Sequence, residues 1–473
     1  MNATEIAQLT HAQSALEAGN FTAAIGAFTI IRDAYPTDVN LGLMVANVYR
    51  LASDPLGERA ALLHTYRHAT WADATPALSL GAALLEAGAA VEAAACFRQV
   101  VAQRPHDPAG LAALAGAMRT MGQPDAAWPL MQRALTFTPQ HAAVLLTAAQ
   151  IRHDLADLPG ALQWLDRADA VRPQHAPTHL QRAYTTLLGG ASATGWALFE
   201  SRALPTPQTS AKSWHGEPLN GASVLVTAEQ GVGDQFQFAR FIPLLSERGA
   251  ARVVVECHVD AVTLFRANGF DAVARGTAVS TDWHVPLLSL PHRLKLDDAV
   301  LGARVPYLHA PHLNIASPCN MNKNVPRIGL VWAGNPAFAG RLTRDLDVAQ
   351  LPSLLQDTRR QWVSLQQGAA GNVALANLER APTVADWAAT ATLLASLDGV
   401  VTTDTGVAHL AGAMGLSTWV LLQAVPDWRW GLTGRSTPWY PTVRLVRQAA
   451  LGDWSSVITA VLADVELAGA QRQ

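Results

Sequence analysis

A polar turn interrupts an apolar stretch at residues 401–415, VTTDTGVAHLAGAMG. A β-branched run ends at Asp404, and a helix rich in small residues is expected to follow Gly406. The first N–H groups of such a helix lack partners within the helix and, together with the helix dipole, attract anions. Thr405, Gly406 and Val407 therefore form a candidate anion site, although a capped and closely packed helix would show the same pattern.

The stretch AEQGVGDQFQFAR at residues 228–240 also follows an apolar run. Gly231 and Gly233 would allow a ligand to approach the backbone closely. Asp234 would project from the loop or from the first helical turn, where a carboxylate can accept a proton from a reacting hydroxyl. The simpler interpretation is that Asp234 caps the helix.

A third turn, WAGNPAFAGRLTRDLD at residues 332–347, carries two arginines. A guanidinium in such a loop suits bidentate phosphate binding. A solvated surface charge is the favoured interpretation for Arg341, and phosphate binding is the expected role of Arg344. Asn335 in this turn and Gln366 in the stretch SLQQG are further candidate ligand-binding residues.

The stretch PDWRWGLTGRSTPWYP at residues 426–441 has more tryptophan than an ordinary loop. We expect Trp430 and Trp439 to form a structural clasp. The residues predicted to line the mouth of a ligand-binding cleft are Glu229, Gln230, Asp427, Trp428 and Arg429.

The elements that must position these motifs alternate between apolar runs and amphipathic stretches. This alternation predicts two sets of parallel strands with helical crossovers, and ligands bind at the carboxyl ends of such sheets. A polar segment at 312–326 is expected to link the two sets, and a helix at 454–468 is expected to cross back over the first set. The clearest strand candidates are 223–230, 252–256, 327–334, 361–367 and 417–423.

The first half of the chain is different. Pro105, Pro139, Pro173 and Pro207 recur every 34 residues, with small residues at two fixed positions and a bulky apolar residue at a third. This spacing resembles the tetratricopeptide repeat (TPR) and predicts about six repeats in a superhelix with a groove. Residues 39–72 depart from the pattern, with an expected extra turn and no closing proline. The alternatives for such an array are protein binding, which is favoured, and a dimerisation or stability module.

Composition excludes several classes of protein. The 473 residues carry a net charge of −3 without a basic run, so nucleic acid and anionic membranes are not expected partners. No apolar stretch is long enough for a membrane span. Three cysteines and the lack of a signal-peptide pattern favour a cytoplasmic protein without disulfides. The sequence shows no compact His/Asp cluster, so no metal is expected, and His409 is expected to pack or to contact a ribose.

The ordered motifs EQGVGDQFQFAR, GLVWAGNP, SLQQG, DTGVAHLAGA and VPDWRWGLTGRSTPWYPTVRLVRQ resemble bacterial TPR–glycosyltransferase fusions, including the flagellin-modifying type. The catalytic half is similar to heptosyltransferase-type enzymes of the GT-B fold, which have two Rossmann-like domains. This resemblance covers nearly the whole chain. It implies a TPR superhelix at 1–207, an acceptor-side domain at 208–315 and a nucleotide-sugar-binding domain at 316–473.

The resemblance also implies roles for particular residues. It implies inverting transfer from a nucleotide-sugar, without a metal or other cofactor, to a protein acceptor such as flagellin, recruited by the array. Asp234 would be the general base, the N–H groups of residues 405–407 would cradle the donor diphosphate, and Arg344 would take the place of the usual lysine. Fixed N–H donors and a cation stabilise a departing diphosphate. Asp404 and His409 complete the implied donor site.

Two departures from the related sequences remove polar groups near the donor. Residues 338–340 are Phe-Ala-Gly where relatives often carry His-x-Asn-Asp, and Gln367 stands where relatives often have lysine. The sequence therefore leaves two alternatives to protein glycosylation. One is a non-catalytic nucleotide-sugar-binding scaffold, and the other is a transferase acting on lipopolysaccharide or another glycolipid.

Overall fold

The computed structural model describes residues 3–71, 73–190, 192–206, 208–296, 301, 304–313, 325–335, 341–368, 371 and 373–470. Pro207, residues 338–340 and most of the expected linker lie outside these ranges, and so does the expected domain boundary at 315/316. The chain divides into two compact units, one of residues 1–173 with 341–342 and the other of residues 174–336 and 343–473. The sequence places the end of the array at residue 207, whereas the compact units part after Pro173.

The first unit is a helical repeat array that resembles a TPR superhelix, which confirms the prediction from the 34-residue spacing. Consecutive helices pack as pairs. The C-cap residue before each of Pro105, Pro139 and Pro173 has a non-helical backbone conformation, as expected for a residue that precedes proline. The helices of this unit are α1 (Ala3–Glu17), α2 (Phe21–Ala34), α3 (Val39–Leu51), α4 (Pro55–His68), α5 (Ala74–Glu86), α6 (Ala90–Gln103), α7 (Pro108–Thr120), α8 (Pro124–Phe137), α9 (Ala142–Asp154) and α10 (Leu158–Val171).

The repeated small residues let the two helices of a pair approach closely. In the third pair, a Cβ atom built on Gly81 would lie 2.6 Å from Cε1 of the Phe97 ring, which fills the space between α5 and α6. The equivalent Ala115, Ala127 and Met131 of the fourth pair are fully buried. A methyl group added at such a position would overpack the pair, so the spacing predicted from sequence is a packing requirement.

The irregular second repeat differs from its prediction. Helices α3 and α4 have 13 and 14 residues, the same lengths as the helices of the next three pairs, so no extra helical turn is present. The difference is one residue: α4 begins at Pro55 and α6 begins 35 residues later, at Ala90. The link 69–73 absorbs this residue between two helices of ordinary length.

The second unit begins with a sixth helix pair, α11 (Ala176–Leu188) and α12 (Ser192–Phe199). A parallel sheet follows, with strand order β1-β5-β2-β3-β4, which confirms the parallel pairing expected for this region. Its strands and helices are β1 (Lys212–Ser213), β2 (Ser223–Thr227), α13 (Val232–Phe238), α14 (Pro243–Glu247), β3 (Arg252–Cys257), α15 (Val262–Ala267), β4 (Asp271–Ala274), β5 (Trp283–Pro286) and α16 (Leu290–Arg293).

A second parallel sheet completes this unit, with strand order β11-β10-β9-β6-β7-β8. Buried apolar side chains of its central strands form one core with residues of the last helix. Its elements are β6 (Arg327–Val331), α17 (Arg341–Arg344), α18 (Leu351–Leu355), β7 (Gln361–Ser364), β8 (Leu378–Arg380), α19 (Trp387–Ala395), β9 (Gly399–Thr403), α20 (Gly406–Ala413), β10 (Thr418–Leu422), β11 (Val443–Arg447) and α21 (Trp454–Ala470).

The side on which successive strands join the sheet changes between β2 and β5 in the first sheet and between β6 and β9 in the second, although both pairs are parallel. At such a switch point the loops after the two strands run to opposite sides and leave a crevice where ligands bind. The loops after β2, β6 and β9 are the three turns that the sequence analysis identifies as candidate catalytic or anion-binding segments.

Helix α21 corrects one expectation. Val457, Val461 and Val465 on its buried face belong to the core of the second sheet, with Ile328 and Leu421. The helix therefore packs on the sheet that it follows, and the expected crossing over the first sheet is not what the described residues form. None of the helices in the described ranges combines the length and the apolar character that crossing a bilayer would require.

Candidate functional site

Asp234 lies in the first turn of α13, directly after the switch-point strand β2. Its Oδ2 accepts a hydrogen bond of 2.9 Å from the Gly231 N–H, and its Oδ1 accepts one from the Arg429 guanidinium. Burial raises the pKa of the Asp234 carboxyl above its ordinary value, and the Arg429 charge opposes that shift. The aspartate is thus a helix cap and, at the same time, a partly buried carboxylate with increased basicity.

Arg429 connects the carboxylates of this region. It is buried in the 3₁₀ turn Trp428–Trp430, where Asp427 Oδ1 accepts hydrogen bonds from its backbone N–H at 3.0 Å and from its Nη1 at 2.8 Å. Its Nε donates to Gln237 Oε1 at 2.8 Å. The neighbouring carboxylates raise the pKa of Arg429 despite its burial, so the side chain is a permanent cation between Asp234 and Asp427.

The glycines of two motifs pack against each other. A Cβ atom built on Gly233 would lie 2.9 Å from Cδ2 of His409 and 3.2 Å from the Cα of Gly406. One built on Gly406 would lie 3.3 Å from Cγ1 of Val232. The close approach that the sequence attributes to a ligand is therefore made, at these atoms, by the first turns of α13 and α20 with each other.

This contact gives a direct prediction. Gly233→Ala places a methyl group against backbone atoms of α20, so we expect a loss of about 1–3 kcal/mol in the free energy of unfolding, as in other overpacked sites. Gly231→Ala is the matched control, because its added Cβ has only Asp234 Oδ2 nearby, at 3.3 Å. Denaturant titration measures both losses. Equal losses in the two variants would contradict the proposed close packing.

His409 is a buried residue of α20. Its Nδ1 lies 3.0 Å from the Tyr440 hydroxyl, and its ring stacks on Trp430 with 5.2 Å between ring centroids. Burial holds the pKa of His409 well below its ordinary value, so the ring is neutral near pH 7. The packing role expected from sequence agrees with these contacts, and the ribose contact stays a prediction.

Asp404 follows β9 and lies 3.7 Å from His409 Nε2. Burial and the charge of Asp427 raise the pKa of Asp404 to about 6, and the charge of Arg344 opposes this shift. Asp404 and Asp234 are therefore both carboxyls of raised pKa near the switch points of the two sheets, and such groups occur often at functional sites.

The first turn of α20 has no side-chain cap. Thr405 occupies the N-cap position, but its hydroxyl lies 2.9 Å from that of Thr402 and makes no capping hydrogen bond. Val407 is buried in the same turn. An anion could therefore bind the N–H groups of this turn without displacing a capping side chain, and the diphosphate-binding role of residues 405–407 stays a prediction.

The other donor-site candidates lie in the segments that follow β6 and β7. The Arg344 guanidinium covers Gly334, where a Cβ atom would lie 2.2 Å from Nη2. Asn335 is exposed beside it. Gln366 does not offer its amide outward: its Oε1 accepts from the N–H of Trp332 and its Nε2 donates to the carbonyl of Ala333, so it fixes the end of β6.

The structure corrects the cleft-mouth prediction for Arg429, which is buried as described above, and two further residues expected there are also buried. Glu229 accepts hydrogen bonds of 2.7 Å from Nε and Nη2 of Arg202, and the two side chains are each only 3% exposed. Trp428 is 7% exposed and contacts Trp196. The mouth prediction is therefore corrected for both residues, because each has a partner in the segment before the first sheet. Gln230 is exposed, with a positive φ of 54°.

Sequence reasoning missed the partners that organise this region: Trp196, Arg202, Gln237 and Tyr440. The signal available for the first two was the stretch GWALFESR at 195–202, in which large and charged residues follow the repeat pattern. Gln237 and Tyr440 gave no signal, because their partners are distant in sequence.

Several buried polar atoms at the carboxyl ends of the second sheet's strands have no hydrogen-bond partner within the described ranges. They are Trp332 Nε1, Ser364 Oγ, Thr403 Oγ1, Gln423 Oε1 and Gln448 Nε2, which lie at or after the ends of β6, β7, β9, β10 and β11. Buried polar atoms are rarely unsatisfied in proteins. These atoms lie at the edge of the parallel sheet where ligands bind in open α/β folds.

Other chemistries receive no support from the residues that the structure describes. No group of three or more His, Cys, Asp or Glu residues in that part of the chain could hold a metal ion. Cys96 and Cys257 are buried, and burial raises the pKa of each thiol to about 12, which makes both poor nucleophiles.

Comparisons with known proteins complete this description. No protein-family model matches the chain. It is similar to Protein FlbA of Caulobacter vibrioides, with 23% identity over 496 residues that cover 88% of this chain and 83% of that protein.

Among solved structures it is similar to the MamA protein, with a TM-score of 0.31 and 16% identity over 37% of this chain and 96% of that one. It is also similar to YrrB, a TPR protein with an unusual peptide-binding site, with a TM-score of 0.30 and 16% identity over 37% of this chain and 91% of that one. By its own helix pairs and strand order, the chain combines TPR-like repeats with a parallel-sheet α/β region.

Proposed function

We propose that the protein transfers a glycosyl group from a nucleotide-sugar to a protein acceptor bound by the helical repeats. The observation that carries this proposal is Asp234, a partly buried carboxylate of raised pKa. It follows the switch-point strand of one sheet and contacts Arg429, which follows β10 of the other sheet. A general base is most effective when its pKa lies near the working pH. Burial moves the pKa of this aspartate in that direction.

In the proposed reaction, Asp234 accepts the proton of the acceptor hydroxyl as its oxygen attacks the anomeric carbon of the donor sugar. The bond from that carbon to the diphosphate oxygen breaks, and the configuration inverts. Negative charge then accumulates on the leaving diphosphate. The N–H groups at the start of α20 and the Arg344 cation would stabilise that charge.

The buried polar atoms without partners at the ends of β6, β7 and β9 support a polar ligand on the second sheet. A nucleotide-sugar supplies hydroxyl, carbonyl and phosphate oxygens to such atoms. These three strands flank the second switch point, so the same edge would hold the donor and the groups that stabilise its leaving diphosphate.

A second candidate is a non-catalytic nucleotide-sugar-binding scaffold. It is favoured by the engagement of both Asp234 oxygens, one by the Gly231 N–H and one by Arg429. An aspartate whose role is to cap α13 and hold Arg429 would have these contacts without any chemistry. The two candidates share donor binding and differ in turnover.

Donor binding is tested through Arg344. Arg344→Ala should weaken the binding of nucleoside diphosphates by about 1.5–3 kcal/mol, the scale of a hydrogen bond to a charged group. A thermal-shift screen of nucleoside diphosphates and nucleotide-sugars first selects the base, because bound ligand raises the unfolding temperature. Isothermal titration calorimetry then measures the affinity of both proteins.

Arg359→Ala is the control, because Arg359 is exposed and pairs with Asp357 and Glu466. Its removal should leave the affinity unchanged. An Arg344→Ala protein that binds as tightly as the wild type would remove Arg344 from the donor site. The absence of binding by any nucleotide in the screen would overturn both candidates.

A further inference from the structure

Six aromatic side chains from four parts of the second unit meet in one cluster: Trp196, Phe199, Phe238, Phe241, Trp428 and Trp439. Trp196 contacts four of the others and is buried on α12, the last helix of the sixth pair. Edge-to-face pairs of this kind add to the stabilisation from burial alone. The cluster therefore fixes α12 against the loop that follows β10.

One member of the cluster continues into the candidate site. Trp428 presents its ring to the ring of Trp196, with the ring centroids 5.2 Å apart and nearly perpendicular. The guanidinium carbon of Arg429 lies 4.3 Å from the centroid of the same Trp428 ring. Arg429 in turn donates to Asp234. A continuous series of contacts thus runs from Trp196 through Trp428 and Arg429 to Asp234.

We propose that Trp196 is a positioning residue for the candidate site, which holds the Trp428 ring and thereby keeps the Arg429 guanidinium on Asp234. An arginine side chain has many rotamers, and its planar fork pairs well with a carboxylate only in a fixed orientation. The Trp428 ring packs against one face of the Arg429 guanidinium, and Trp196 prevents the Trp428 ring from rotating away. The inference takes the site from the proposed function, although its test needs no substrate.

The surroundings of Asp234 make the position of Arg429 measurable. Arg429 is the cation facing Asp234 among its described neighbours, and its charge lowers the pKa of the carboxyl. The other titratable groups near Asp234 and Arg429 are Asp427 before the 3₁₀ turn, Glu229 before α13, Tyr184 on α11, His409 on α20 and Asp404 after β9. Displacement of Arg429 would therefore raise the pKa of Asp234 further.

The test measures the Asp234 titration through stability. Denaturant midpoints of the full chain are determined between about pH 4 and about pH 9 for the wild type, Asp234→Asn, Trp196→Leu and the double variant. Because the folded pKa of Asp234 is raised, the wild type should lose stability relative to Asp234→Asn as the pH rises through that pKa. In the Trp196→Leu background this loss should begin at the same pH, which the unfolded chain sets, but should continue to a pH about 1–3 units higher, the effect of an opposite charge within contact distance.

Matched variants separate positioning from general destabilisation. Trp419→Leu removes an equally buried tryptophan from β10 and should leave the pH of the loss unchanged. Trp196→Phe keeps an aromatic ring, so its loss of stability should occur over the same pH range as in the wild type. Trp428→Leu breaks the same series at its next contact and is measured in parallel, so the result does not depend on one variant folding.

An unchanged pH of the loss in both Trp196→Leu and Trp428→Leu would overturn the proposal. A shift of equal size in Trp419→Leu would do the same. The readout is independent of the proposed reaction: a wild type that binds and transfers no sugar, but shows the shift, would refute the proposed function and leave the positioning role supported.

Discussion

Asp234→Asn should leave nucleotide-sugar binding intact and lower the rate of glycosyl transfer by about 10²–10⁴-fold, the usual contribution of a general base. Asparagine keeps the shape of the side chain and an oxygen that can accept from the Gly231 N–H, so α13 should remain capped. Arg429 keeps its hydrogen bond to Asp427 and is therefore not left without a carboxylate. The loss should fall on turnover and not on the fold.

The pH dependence of transfer provides a second measurement on the same residue. The base must be ionised to accept a proton, so the rate should rise with pH through the pKa of Asp234, which burial raises. Rates and donor affinities are compared for the wild type, Asp234→Asn and Asp386→Asn. The last variant changes an aspartate that caps α19 through the Ala389 N–H, and it should transfer at the wild-type rate.

Near-wild-type transfer by Asp234→Asn would assign Asp234 to capping alone. The sequence offers Glu229 as the next candidate base, but in the structure this carboxylate is buried against Arg202 and also accepts from the Leu288 N–H. Glu229 is therefore a poor substitute, and the base would have to be sought elsewhere.

The second large effect is expected on stability. Arg202→Met should lower the free energy of unfolding by about 3–5 kcal/mol, because it leaves the Glu229 carboxylate buried without its partner cation. The present ion pair satisfies both oxygens of Glu229, and Arg202 donates a further hydrogen bond to Ser289 at 2.8 Å. Methionine fills much of the volume but restores none of these bonds.

Two further variants make this prediction specific. The double variant Arg202→Met/Glu229→Gln should recover part of the loss, since the charge that Arg202 neutralised is also removed. Arg252→Met removes an exposed arginine paired with Asp271 and should cost at most about 1 kcal/mol. Denaturant titration of the four proteins measures the effects, and similar losses for Arg202→Met and Arg252→Met would refute the importance of burial.

The repeats were predictable from sequence because their constraint is periodic. A small residue is required wherever two helices of a pair cross closely, and this happens at the same positions in successive units, as at Gly81, Ala115 and Ala149. The sequence predicts an extra turn in the second repeat, whereas the structure has one extra residue in the link before α5. An insertion changes the apparent period in the same way wherever it falls.

The strand ends of the α/β region were also predictable, since a β-branched run followed by a glycine turn indicates where a parallel strand stops. What the side chains do at those ends was harder to foresee. Glu229 and Arg202 are 27 residues apart, and Asp234 and Arg429 are 195 residues apart. Local pattern therefore could not distinguish a carboxylate in a cleft from one in a buried ion pair.

The glycines show the same limit. Gly233 and Gly406 have the sequence signature of a close ligand approach, and each is in fact approached closely by the first turn of the other's helix. The sequence indicates that the backbone at these two glycines must be accessible, but it does not identify the atoms that approach it. That information depends on tertiary packing.

The assignment of α11 and α12 to the second compact unit bears on how proteins of this design could change their number of repeats. Duplication or deletion of a 34-residue segment ahead of Gln174 would leave the aromatic cluster and the Arg202–Glu229 pair untouched. Deletion of residues 174–207 would remove Trp196 and Arg202 together. In a chimera that exchanges arrays between such proteins, the fusion point that preserves the α/β half therefore lies after Pro173, and the sixth helix pair travels with the half that it supports.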